Sequence, residues 1–126
     1  MIEMQLWTNR SGFRRLWKAL RSECARNRPD DAFVHAALVC SVIREVVLRC
    51  RHRHEPVLVV VSCHADCTAV MLRDPADREV DLDRRRARVL DQDALSWSTM
   101  SGPEGRTLMI DVERFSRRRE QSASAG

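Results

Sequence analysis

The sequence predicts one α/β domain of the α+β two-layer sandwich kind, with a mixed, mostly antiparallel sheet and its helices on one face. Three observations carry this. Met1 to Trp7 alternates apolar with polar residues, as a strand with one buried face does. Two longer segments then repeat their apolar residues at helical spacing. A continuous apolar run follows, with a hairpin, a short helix and a last strand after it, so the order is β-α-α-β-β-α-β.

The first strand places Ile2, Met4 and Leu6 on one side and Glu3 and Gln5 on the other. Asn9 or Ser11 supplies an N-cap. Phe13, Leu16, Trp17, Leu20 and Cys24 then form the apolar stripe of an amphipathic helix, which Asn27 to Pro29 ends. Asp30 or Asp31 caps a second helix, roughly Ala32 to Cys50, whose apolar residues cover most of its circumference. Such a helix is expected to be covered on most sides. Its Val and Ile content opposes helix on propensity alone. Val57 to Ser62 is apolar through Val61 and predicts a central strand covered on both faces. His64-Ala65-Asp66 makes a hairpin turn, Thr68 to Arg73 returns, and Asp74-Pro75 ends the strand. A short helix is expected from about Asp83 to Asp93. Ser101 to Gly105 is a turn, and Thr107 to Val112 is the last strand. The folded domain is placed at 1–113. The remainder, 114–126, is polar and Arg-rich and predicts a disordered tail.

The chain has 126 residues and is 44% apolar, which suits one domain with a packed core. No apolar run approaches the roughly 20 residues of a membrane span, and Met1 to Trp7 has no signal-peptide pattern. The expectation is a cytoplasmic protein with no membrane contact. The net charge is +4, but arginines alternate with acids, as in Arg73-Asp74 and Asp83 beside Arg84 to Arg86. A nucleic-acid binder gathers its charge on one face, so this mixing argues against that class. Lys18 is the only lysine.

Five cysteines without a secretory signal argue against a disulfide framework. Cys50, His52, His54, Cys63, His64 and Cys67 cluster in sequence. Zinc favours such ligands, but a strand separates the two halves of the set. Cys63 and Cys67 flank the hairpin turn, where they would face each other near bridging distance. A zinc pair, a disulfide and ordinary thiols are the alternatives there. No serine or cysteine nucleophile has a supporting His and acid pattern.

The element order, the segment Cys40 to Leu48, the Asp74 turn and the closing Pro103 to Val112 together resemble the histidine-kinase-like (GHKL) ATPase fold. The similarity is to its anti-sigma-factor and serine-kinase branch, over Met1 to Glu113. The family's second helix carries a Glu and a Mg²⁺-holding Asn, and here those positions are Ser41 and Glu45. The family's adenine-binding Asp matches Asp74, but the glycines of the following Gly-x-Gly become Ala76 and Arg78. The glycine-rich lid that cradles phosphates is replaced by Glu79 to Arg88, which has no glycine. Thr107 matches a threonine that supports the adenine-binding Asp. The resemblance thus implies Asp74, Thr107, Glu45 and Ala76 as the remains of a nucleotide site. The general-base position is lost, and no cofactor is required.

The function expected is a regulatory protein-interaction module without ATPase or kinase activity. Its partner would be a sigma factor, an antagonist or another transcription regulator, and a homodimer is an option the resemblance brings. Arg14, Arg15, Lys18 and Arg21 on the first helix, and the edge strand Met1 to Trp7, are the candidate contacts. Two alternatives stand beside it. One is an active ATP- and Mg²⁺-binding serine kinase, with Glu45 on the metal and Arg84 to Arg86 on phosphate. The other is a basic nucleic-acid binder.

Overall fold

The computed structural model describes residues 1–27, 30–48, 55–64, 67–75, 84–94 and 96–113. Its elements are β1 (Ile2–Leu6), α1 (Arg10–Asn27), α2 (Ala32–Leu48), β2 (Val57–Cys63), β3 (Cys67–Asp74), α3 (Arg84–Asp93), β4 (Ser96–Gly102) and β5 (Gly105–Glu113). Ala76, Arg78, the first half of the lid (79–83), Cys50, His52, His54 and the 114–126 tail lie outside the described residues.

The five strands form one sheet in the order β1-β2-β3-β5-β4, antiparallel throughout. The expected mixed sheet is therefore wholly antiparallel, and it has a strand, β4, that the sequence did not announce. β1 and β4 are its edges. Val59 pairs with Leu72 and Leu72 with Leu108, while Val61 pairs with Val70 and Val70 with Ile110. These residues share one face of the pleat and are all buried. From α1, Leu16 and Leu20, and from α2, Val39, Val42, Ile43 and Val46, are buried in the same core. Leu90 of α3 completes it.

The α1 cap is Asn9. Its Oδ1 accepts from the Gly12 amide at 2.7 Å, and its carbonyl accepts from Phe13 at 3.0 Å. At α2 the Asp31 carbonyl accepts from His35 at 2.9 Å, so this helix forms in spite of its β-branched residues. The reason is burial, since seven of its residues are buried.

One expectation fails in an informative way. β2 is not covered on both faces. Val57, Val59 and Val61 are buried, whereas Leu58 and Val60 are only half-buried. A run of valines reads identically whether its second face is covered or not. The outer face of the sheet also carries Met109 and Met100, both exposed. Their positions follow from the pairs Val60 with Met71, Met71 with Met109 and Thr107 with Met100.

The start of β1 is tied to the end of α1 by buried Glu23. Its carboxylate accepts from the Met1 ammonium at 2.8 Å and from Arg26 at 3.1 Å. The Met1 hydrogen bond lowers its pKa most, against desolvation that raises it, with Arg26 and Asn27 adding to the lowering. A carboxyl with a depressed folded pKa stabilises at pH above its unfolded value and loses that contribution as pH falls through the folded one. Both cationic partners are largely exposed, which limits the effect. Glu23→Gln is expected to cost about 1 kcal/mol at neutral pH and progressively less as pH falls through the lowered folded pKa, read from urea midpoints across that range.

Candidate functional site

α1 and α2 run antiparallel and leave a seam on the outer surface of the helix layer, away from the sheet. A groove of about 590 Å³ at one end is lined by Thr8, Asn9, Arg10, Phe13, Arg14, Trp17, Cys40, Arg44 and Leu48. A second, of about 370 Å³, continues along α2 past Ala37, Ser41 and Glu45. The two share Trp17, Cys40, Arg44 and Leu48, so they form one channel.

Helical geometry builds this channel. Phe13 and Trp17 leave α1 beside its buried Leu16 and Leu20 row, half-buried against α2. On α2, residues 33, 37, 40, 44 and 48 recur at spacings of three and four and form the facing row. Trp17 meets Phe33 edge to face, with ring centroids 5.5 Å apart at 88°. The Arg21 guanidinium lies over both rings, 5.8 Å from Trp17 and 5.7 Å from Phe33. Arg44 lies 5.5 Å over Phe13.

The electrostatics of the channel are one-sided. Among the described residues, no carboxylate ion-pairs with Arg10, Arg14, Arg21 or Arg44. Glu45 is the one acid in the lining. Burial pushes the Cys40 thiol pKa up, partly offset by Arg44. The raised pKa makes Cys40 a weaker nucleophile than an ordinary cysteine.

Of the four α1 residues expected to contact a partner, Arg14 lines the channel and Arg21 caps its aromatic end. Arg15 and Lys18 are exposed on α1 but do not line it. Sequence reasoning missed Arg10, Phe13, Trp17, Phe33 and Arg44 as a group. Nothing in the sequence grouped them, and the 62% exposure of Phe33 is visible only in the structure.

The nucleotide-side residues are placed differently. Asp74 is buried at the end of β3 on the inner sheet face, in register with buried Arg106. Arg106 donates to Thr99 Oγ1 at 2.9 Å. Thr107 is the next residue along β5, so it points to the outer face, where its Oγ1 accepts from Arg73 at 3.3 Å. The support of Asp74 by Thr107 that the resemblance implied is not made. Glu45 is exposed on the outside of the helix layer. Asp74, Thr107 and Glu45 therefore occupy three different surfaces, and Ala76 lies outside the described residues.

The expected facing of Cys63 and Cys67 across the turn is corrected. Cys63 pairs with Thr68, not with Cys67. Cys63 and Cys67 project to opposite faces, and neither is in a disulfide. Cys63 instead accepts a 3.8 Å contact from Thr68 Oγ1, which also bonds buried His35 Nε2 at 2.6 Å. No group of three or more metal-ligating side chains occurs among the described residues.

No family model, curated protein or solved structure matches the chain. No helix among the described residues is long and apolar enough to cross a membrane.

Proposed function

We propose that this protein is a regulatory interaction module of the anti-sigma-factor kind, without kinase or ATPase chemistry, that acts by binding a transcription-regulatory protein. The observation that carries the absence of kinase chemistry is the scattering of Asp74, Thr107 and Glu45 over three surfaces, and the partner-binding half rests on the resemblance. Adenine recognition needs an acceptor and its supporting hydroxyl on one side of the sheet. Metal-bridged phosphate needs its carboxylate or amide beside them. One residue of strand parity puts Thr107 on the wrong face, and no side-chain rotation brings it back. The element order supports the same relationship, with two helices between an edge strand and a hairpin, then a helix and a closing strand pair.

Calorimetric titration of ATP and ADP with Mg²⁺ is expected to give no binding heat at millimolar nucleotide. The opposite outcome is micromolar binding that Asp74→Ala abolishes. It would replace this reading with that of a nucleotide-dependent serine kinase.

A further inference from the structure

We propose that the α1–α2 channel is a docking groove for an acidic amphipathic helix of a partner protein, with carboxylates meeting Arg10, Arg14 and Arg44 and apolar anchors between Phe13, Trp17 and Leu48. This deepens the interaction-module reading and rests on it.

Shape fixes the secondary structure of the occupant. The seam of two antiparallel helices is a trough whose walls are ridges of side chains, into which a third helix packs. Along α2, from Ala37 to Leu48, the trough runs roughly 16 Å, at 1.5 Å per residue, which takes about three turns of helix. The floor is apolar and aromatic and the flanks are basic, so the complementary helix carries one apolar stripe bordered by Glu or Asp.

Charge selects among occupants. A second copy docking seam on seam would set arginine rows against arginine rows. The chain's own C-terminal segment carries Arg114 and Arg117 to Arg119, which is again the same sign. Single-stranded nucleic acid has the right charge, but it needs open aromatic faces on which bases stack. Here Arg21 covers Trp17 and Phe33, Arg44 covers Phe13, and Glu45 borders the path of a phosphate backbone. The same arginines serve a carboxylate-bearing helix well. Their stems pack on the rings while their planar heads stay free to fork onto acids.

The test uses the full chain and fluorescence anisotropy of labelled synthetic peptides about 14 residues long. One is an amphipathic helix of Leu and Glu. The second has Lys for every Glu, and the third probe is an oligo-dT of similar charge. The Leu/Glu peptide is expected to bind at least about tenfold more tightly than either other probe, and to weaken as salt rises. Arg14→Glu and Arg44→Glu are each expected to lower its affinity by about tenfold. Both sites are exposed, and circular dichroism checks that each variant folds. Arg15→Glu lies outside the channel and is expected to change it by less than about threefold. Equal binding of the two peptides, tighter binding of oligo-dT, or an Arg44→Glu variant that binds like the parent overturns the proposal. The nucleotide titration reads the inner sheet face, so its failure and this one are separate results.

Discussion

Gly105→Ala is expected to destabilise the domain by about 4 kcal/mol or more, against a total stability on the order of 5–15 kcal/mol. Two causes act together. Gly105 has φ +99°, the one positive φ among the described residues. A side chain there strains the backbone by about 1–2 kcal/mol before any contact is counted. A Cβ at that position would also lie 2.1 Å from the Asp74 carbonyl oxygen and 2.6 Å from the Pro75 Cα, both backbone atoms that cannot rotate away. The turn needs this conformation because Pro103 and Glu104 keep negative φ and Gly105 alone redirects the chain into β5. Moving β5 to relieve the clash breaks the register Asp74 to Arg106 and Leu72 to Leu108 that joins β5 to the core. Gly102 faces Gly105 across the hairpin, and a Cβ on it would meet nothing within 4 Å. Gly102→Ala is therefore the control, expected within about 0.5 kcal/mol of the parent. Guanidinium melts of the two variants check both statements. A Gly105→Ala protein as stable as Gly102→Ala would refute the account of this turn.

The same hairpin shows where the sequence was readable and where it was not. β1, α1 and α3 were legible because each buries a stripe, and a stripe leaves a period in the chain. β4 buries almost nothing. Ser96–Gly102 has one half-buried residue, Trp97, and six exposed ones. Its existence depends on the Pro103-Glu104 turn folding it back on β5, and that turn was visible while its consequence was not. β2 illustrates the converse, since five successive apolar residues overstated its burial. The candidate site divides along the same line. Arg14 and Arg21 were found because they sit on the polar face of a clear amphipathic helix. Phe13, Trp17, Phe33 and Arg44 gain their meaning only when α1 and α2 lie side by side, which is tertiary information. Asp74 and Thr107 were aligned by motif, and motif spacing is blind to which side of a pleat a residue takes.

Gly12→Ala is expected to be comparably severe, by several kcal/mol, and its consequences reach the groove. Gly12 has no unusual φ, so the cause is contact alone. A Cβ there would stand 1.9 Å from the Trp7 carbonyl oxygen and 3.2 Å from Asn9 Oδ1. The chain leaves β1 in a tight bend, with the Asn9 amide bonded to the Trp7 carbonyl at 2.8 Å, and Gly12 is where α1 turns back under that bend. To admit a methyl group, the bend must open. That breaks the Trp7 to Asn9 bond and withdraws the Asn9 cap from the Gly12 amide. Losing the cap alone, as in Asn9→Ala, is expected to cost only about 1 kcal/mol. The excess in Gly12→Ala over Asn9→Ala thus measures the steric part. Thr8, Asn9, Arg10 and Phe13 all line the larger end of the channel. Any Gly12→Ala protein that still folds is therefore expected to bind the Leu/Glu peptide more weakly, whereas Asn9→Ala keeps most of the affinity. Equal stability of the two variants would mean that the bend yields easily and that α1 is not fixed to β1 by close backbone contact.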